Sequence, residues 1–290
     1  MKLLFYLFIK PLSLLPLPIL YIFSDGLYFV IHYVVGYRKK VVHTNLKNSF
    51  PAKSEAERQE IAKQFYKHFC DYIVECLRLV SISSDEFRKR VKIKNPELLK
   101  KYQAEGKDLA IISGHHGNWE YAVVGAAFQL EYLGVAIYKP LSNTFFEKIV
   151  KDYRSRFGLQ LIKKGNFRKE LKDYTQEQIA LFFIADQCPS GRQKAHWMTF
   201  LNQETPVMMG AEIYSRRYDY VAVAMNTTKV KRGYYELSFA LVEEQPKQSE
   251  LGFITEQSAR ILEQHIRLQP AYWLWTHRRW KRKRITKEQK

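Results

Sequence analysis

The sequence predicts an α/β fold, a largely parallel β-sheet covered by helices on both faces, with an N-terminal membrane-anchoring helical segment. Three observations carry this. From residue 91 onward, short apolar runs alternate with amphipathic segments, the pattern of strands joined by helical crossovers. With 46% hydrophobic residues, 19 tyrosines and 18 phenylalanines, the 290-residue chain has the means to close a real core. Its first 36 residues are far more apolar than the rest of the chain.

Charge and cysteines bound the function. Lys and Arg number 47 against 29 Asp and Glu, a net charge of +18. Such a surplus implies acidic partners: nucleic acid, an anionic membrane, a phosphorylated lipid or an acidic carrier protein. Cys70, Cys76 and Cys188 show neither paired nor metal-type spacing, which suits a reducing compartment. No Gly-x-Gly-x-x-Gly or phosphate-binding Lys-Ser/Thr loop is present, so no cofactor is expected.

Taken in order, residues 1–36 form the anchor. Three apolar stretches are broken only by Lys10 and the Ser24-Asp25-Gly26 step. No uninterrupted run reaches the roughly 20 residues of a clean spanning helix. Two readings fit: one imperfect span with Asp25 near an interface, or a segment lying in one leaflet, toward which Pro11, Pro16 and Pro18 lean. Arg38, Lys39 and Lys40 would stay on the cytoplasmic side. A capping box at Ser54 and Glu57 opens a helix with an apolar stripe at Ile61, Phe65, Phe69, Ile73, Cys76, Leu77 and Val80. Cys70 and Cys76 read as packing residues there, and His68 as a solvated one.

Beyond it, strands are expected at 91–93, 109–113, 135–138, 159–162, 179–185, 221–225 and 235–241. Helices are expected near 96–104, 118–131, 144–157, 167–175, 208–217 and 250–267. The organising stretch is Ser113-Gly114-His115-His116-Gly117-Asn118-Trp119-Glu120, between the second strand and its helix. Two glycines allow a sharp turn around two histidines, and an acid follows in the helix. The residues alone leave the pairing open. His116 and Glu120 would share a helix face, whereas His115 and Glu120 meet only if His115 lies in the turn. A metal site lacks nearby ligands to complete it.

At these residues the sequence resembles the glycerolipid-type acyltransferases, through His115, four residues and Glu120. The intervening Gly117-Asn118-Trp119 resembles the branch that acylates bacterial lipid A precursors. Further similarity lies at Asn45-Leu46 and Phe50-Pro51, at Arg154, at Asp186-Gln187 and in Trp275 to Arg279. The resemblance implies that His115 is the base that deprotonates an acceptor hydroxyl, with Glu120 holding its tautomer. It also implies an N-terminal membrane segment (1–36) and a catalytic domain (37–290) with a basic C-terminal tail. The acyl donor would be acyl carrier protein or acyl-CoA, and the acceptor a lipid A precursor or related lipid, at the cytoplasmic face of the inner membrane.

Two more clusters close predicted strands. Tyr138 and Lys139 precede Arg154, an arginine able to grip a phosphate or carboxylate with two parallel bonds. Asp186 and Gln187 end the most apolar strand, before a loop with Cys188 and Arg192; a buried acid there needs a partner or a site. Candidate substrate contacts are thus His116, Asn118, Trp119, Tyr138, Lys139, Arg154, Asp186, Gln187 and Arg192. The tract from Gln269 to Arg284 interleaves aromatic and basic residues, which suits nucleic acid or a membrane interface. The resemblance turns that choice toward lipid and away from nucleic acid.

Overall fold

The computed structural model describes residues 2–284 apart from 139, 141, 164, 175–176 and 191–194. At the N-terminus α1 (Lys2–Leu4) and α2 (Lys10–Leu14) are joined by wide turns, and α3 (Leu17–Phe29) continues in similar turns to Val35. Then come α4 (Lys39–Ser49), α5 (Glu55–Leu79), α6 (Ser84–Arg90), β1 (Val91–Ile93), α7 (Glu97–Ala104) and β2 (Leu109–Ser113). Next are α8 (Trp119–Gln129), β3 (Leu133–Tyr138), α9 (Thr144–Ser155), β4 (Gln160–Lys163), α10 (Phe167–Glu170) and β5 (Ile179–Ile184). The chain ends with β6 (Ala195–Phe200), β7 (Gln203–Met208), α11 (Gly210–Tyr218), β8 (Val221–Lys231), β9 (Tyr234–Glu243) and α12 (Phe253–Leu268).

Among the described residues, seven strands form one sheet in the order β1-β9-β8-β2-β5-β3-β4. Every neighbouring pair is parallel except the β8–β9 hairpin. β2 is central, and its unbroken apolar run suits a strand covered on both sides. Leu109 and Ile111 face α7 and α8; Ala110 and Ile112 face the side of α11 and α12. The predicted α/β architecture is therefore the observed one. Missing from the prediction is the antiparallel pair β6–β7, whose turn residues Leu201 and Asn202 both have positive φ.

The long helix α5 starts on the predicted capping box at Ser54 and Glu57. Its inward face differs from the expected stripe. Ile73 is 37% exposed, while His68, Asp71 and Glu75 are buried. His68, expected in solvent, sets Nε2 3.1 Å from the Gly117 carbonyl. Glu75 accepts from Tyr21 Oη (2.9 Å), Asn118 Nδ2 (2.7 Å) and Tyr235 Oη (2.7 Å). Burial raises its pKa, and Lys229 with the Asn118 and Tyr235 donors works against that. Asp71 accepts from Ser24, Arg232 and Lys229. Mid-helix acids read as solvated charges in a sequence; here distant elements supply the partners that make burial tolerable.

The C-terminal tract also departs from expectation. Trp273, Trp275 and Arg279 are buried, so these three residues form neither a membrane belt nor a stacking surface for bases. It threads beside the His115 loop, with Gly117 N–H donating to the Tyr272 carbonyl and Leu274 N–H to that of His115.

Candidate active site

The loop after β2 is shaped by what its glycines allow. A Cβ on Gly114 would lie 2.5 Å from Leu262 Cδ2 and 3.0 Å from Asp186 Oδ2, so only glycine lets that carboxylate approach. Gly117 has φ +60°, and a Cβ there would meet Thr227 at 2.9 Å. Between them the chain turns sharply enough to send His115 and His116 to opposite environments.

His115 faces the cleft. Its backbone N–H donates to Asp186 Oδ2 at 2.8 Å, and Nδ1 lies 2.6 Å from Asp186 Oδ1. The Trp273 indole N–H donates to Oδ2 at 2.8 Å. Burial by itself would raise the Asp186 carboxyl; the imidazole and these donors outweigh it and hold the group at about 2. An ionised Asp186 requires Nδ1–H, which leaves the lone pair on Nε2. Gln187 Nε2 lies 3.1 Å from that atom and donates to it. The Trp119 ring sits edge-on to the imidazole and stacks on Tyr72.

The imidazole's carboxylate in this structure is thus Asp186, where the sequence reading had Glu120. Glu120 stands in the first turn of α8 and reaches sideways to α9. There Arg154 grips it through Nε (2.9 Å) and Nη2 (2.6 Å), with Tyr153 Oη at 3.4 Å. Asp186, expected against substrate, is buried behind the His115 imidazole instead.

His116 turns inward and is 2% exposed, its ring nitrogens 3.1 Å from the Thr227 carbonyl and 3.0 Å from that of Gln269. Burial, with His265 adjacent, lowers it to about 3, so it is neutral, and it does not line the cleft that His115 faces. Asn118 is also buried. Its Oδ1 caps α8 by accepting from Tyr121 N–H, and its Nδ2 is committed to Glu75. Both residues hold the loop up, where the sequence reading had them touching substrate. Lys139 and Arg192 lie outside the described residues.

In front of His115 opens a cleft of about 520 Å³ between α8 and α9, over the C-terminal ends of β3 and β5 and the start of β4. Trp119, Tyr138, Glu120, Arg154 and Gln187 line it with His115, so the structure brings these predicted residues together. Its depth is apolar, with Val123, Val124, Ala136, Leu161 and Phe182 on the walls. Sequence reasoning missed Trp273, Tyr72, Tyr153 and Glu147. Glu147 accepts from Tyr138 Oη, and only its place early in a predicted helix hinted at a site role.

An α/β chain with an imidazole at a strand end and an apolar cleft in front of it fits the class of acyl-transferring enzymes, and comparison with known proteins agrees. The chain belongs to the bacterial lipid A biosynthesis acyltransferase family, whose family model matches residues 2–282. It is 22% identical over 273 residues to the lipid A biosynthesis palmitoleoyltransferase of Escherichia coli K12, covering 92% of this chain and 86% of that one. A lipid A biosynthesis acyltransferase of Shigella flexneri is equally similar, 22% over 273 residues with the same coverage. The lauroyltransferase of Escherichia coli K12 is 20% identical over 269 residues, 92% and 87% of the two chains.

Proposed function

We propose that this acyltransferase moves a fatty acyl chain from an acyl thioester, acyl carrier protein in preference to coenzyme A, to a hydroxyl of a lipid A precursor or related glycolipid. The observation that carries the reading is His115, backed by Asp186 and facing an apolar cleft. Nε2 takes the hydroxyl proton as the oxygen attacks the thioester carbonyl. Asp186 stabilises the imidazolium that forms. When the tetrahedral intermediate collapses, the C–S bond breaks and the imidazolium returns the proton to the leaving thiolate. The apolar walls hold the acyl chain, and Trp119, Tyr138 and Gln187 border the reacting atoms.

Glu120 and Arg154 act together on the cleft wall in this reading. One edge of the guanidinium is committed to Glu120, and the other serves the polar part of the substrate. Asn118 and His116 serve by positioning, as their burial argues. The net charge of +18 suits an acidic carrier protein and an anionic membrane. A nucleic-acid partner loses the support that came from the C-terminal tryptophans and Arg279, which are buried. An aminolipid remains a second acceptor, distinguished by product.

The test is purified protein given acyl carrier protein or coenzyme A thioesters with a lipid A precursor or an aminolipid. Mass spectrometry should find the precursor heavier by one acyl group, with His115→Ala inactive. Thioester consumption at the full rate without any acceptor would instead make the protein a hydrolase.

A further inference from the structure

The helix Leu17–Val35 is long and apolar enough to cross a membrane, and only 11% of its most apolar stretch is buried. Its docking argues against crossing. α3 and its continuation run antiparallel to α5 along its length. Arg78 Nη1 donates to the Ser13 carbonyl, Tyr21 to Glu75 and Ser24 to Asp71. Further on, Lys67 lies over the Tyr28 ring, His32 against Tyr66, and Tyr66 Oη donates to the Tyr37 carbonyl. From Ser13 to Tyr37 the N-terminal residue's number rises while that of its α5 partner falls from Arg78 to Tyr66. A bilayer crossed by α3 would therefore have to take in α5 too, with Lys63, Lys67, Asp71 and Arg78, and each charge in hydrocarbon is costly. Asp25 makes the same point from inside the helix. Its side chain is 66% exposed near the middle of the apolar stretch, paired with Arg232 from the β8–β9 turn.

The face turned away from α5 is apolar, with Leu7, Phe8, Ile22, Phe23, Phe29 and Val34 exposed. Cations rim it over aromatic rings: Lys10 on Tyr6, Lys39 on Tyr33 and Arg38 on Tyr37. An apolar face bordered by tyrosines and basic side chains is the chemistry of a segment lying in the headgroup boundary of an anionic leaflet. Where this segment begins, Phe5 is buried edge-on against Phe145 of α9, with ring centres 5.6 Å apart. α9 is a wall of the cleft.

We propose that residues 2–35 lie in the plane of one anionic leaflet without crossing it, and that their first turns form the sill of the cleft, over which lipid chains pass sideways from the bilayer. The sill rests on the proposed acyl transfer; the in-plane topology does not.

The topology is tested on the full chain carrying Lys10→Cys or Lys40→Cys in bacterial inner-membrane vesicles. Labelling by an impermeant maleimide is read at each site by peptide mass. In-plane binding gives both sites labelled in inverted vesicles and neither in right-side-out ones. Labelling of the two sites from opposite sides overturns it, as does a full-length chain that stays in solution with anionic vesicles at low salt. For the sill, Phe5→Ala should raise KM for a vesicle-embedded acceptor about threefold or more, the scale of a lost aromatic contact. It should leave KM for a detergent-dispersed acceptor unchanged. An equal effect on both overturns the sill, and inactivity of the wild-type chain would count against acyl transfer while leaving the labelling result standing.

Discussion

The His115 imidazole is held by Asp186, 71 positions further along the chain, at 2.6 Å. The cause is strand register. β2 and β5 are parallel neighbours with Ser113 opposite Ile184. Carrying that register two residues on sets His115 opposite Asp186, just past the C-terminal ends of both strands, where open α/β sheets build their sites.

From this pairing we expect Asp186→Asn to lower kcat by about 10²- to 10⁴-fold, the range of general-base catalysis. His115→Ala should fall in the same range, and the double variant should be little worse than either single one, because the two act as a unit. Glu120→Gln, which leaves the imidazole's partner in place, should cost less than Asp186→Asn. Purified variants assayed for kcat at one pH decide this, and the reverse order would return the orienting role to Glu120.

Asp186 should add no limb of its own to the pH–rate profile. The imidazole and the donors around it hold the carboxyl at about 2, so it stays ionised throughout the assay range. An acid limb with a slope above one would show a second group, Asp186 included, titrating there.

Strand positions were legible because β2 and β5 are unbroken apolar runs, which few other environments tolerate. The histidine motif was legible too, yet its partner was not, because pairing depended on which strands are neighbours. Spacing along the chain left the pairing open and the family resemblance pointed to Glu120, five residues away; register sets Asp186 there. The C-terminal tract misled for a related reason. Trp273, Trp275 and Arg279 have the composition of an interfacial belt, and only the packing partners Asp186, Pro270 and Thr205 turn them inward. Glu75 and His68 were invisible as buried groups, since their partners lie on α3, β9 and the loop after β2.

Trp273 tests how firmly Asp186 must be held. Trp273→Phe keeps an aromatic ring but removes the N–H that donates to Oδ2. A hydrogen bond to a charged group is worth about 1.5–3 kcal/mol, so kcat should fall about 10- to 10²-fold. KM for the acyl donor should stay put, because the indole lies behind the imidazole. A change confined to KM would mean that Trp273 shapes the cleft instead.

Stability should decline on mild acidification. Burial lowers His116 to about 3 and His277 to about 4, and lowers His68 and His265 as well. Below a pH of about 6.5 the unfolded chain takes up protons that the folded one refuses. Their contribution is complete above that pH and shrinks as pH falls toward the folded values. The melting temperature should therefore drop between pH 7.5 and 5, and His116→Gln should flatten the drop. A melting temperature that is level across this window would contradict the buried neutral histidines.

The Glu120–Arg154 pair separates support from substrate contact. Their side chains are 12% and 23% exposed, and the contact is bidentate. Breaking a fully buried pair costs about 3–5 kcal/mol, because one charge is left uncompensated. This one is partly open to the cleft, so Arg154→Met and Glu120→Gln should each destabilise by less. The double variant Glu120→Gln, Arg154→Met leaves no stranded charge and should regain most of the lost stability. Activity is expected to behave differently. If the free edge of Arg154 grips the polar part of the substrate, the double variant stays at least about tenfold impaired, since one charged hydrogen bond is missing. The thermal midpoint and kcat/KM, measured on the same four proteins, read the two effects apart. Recovery of activity together with stability would make the pair a structural brace of the α8–α9 wall.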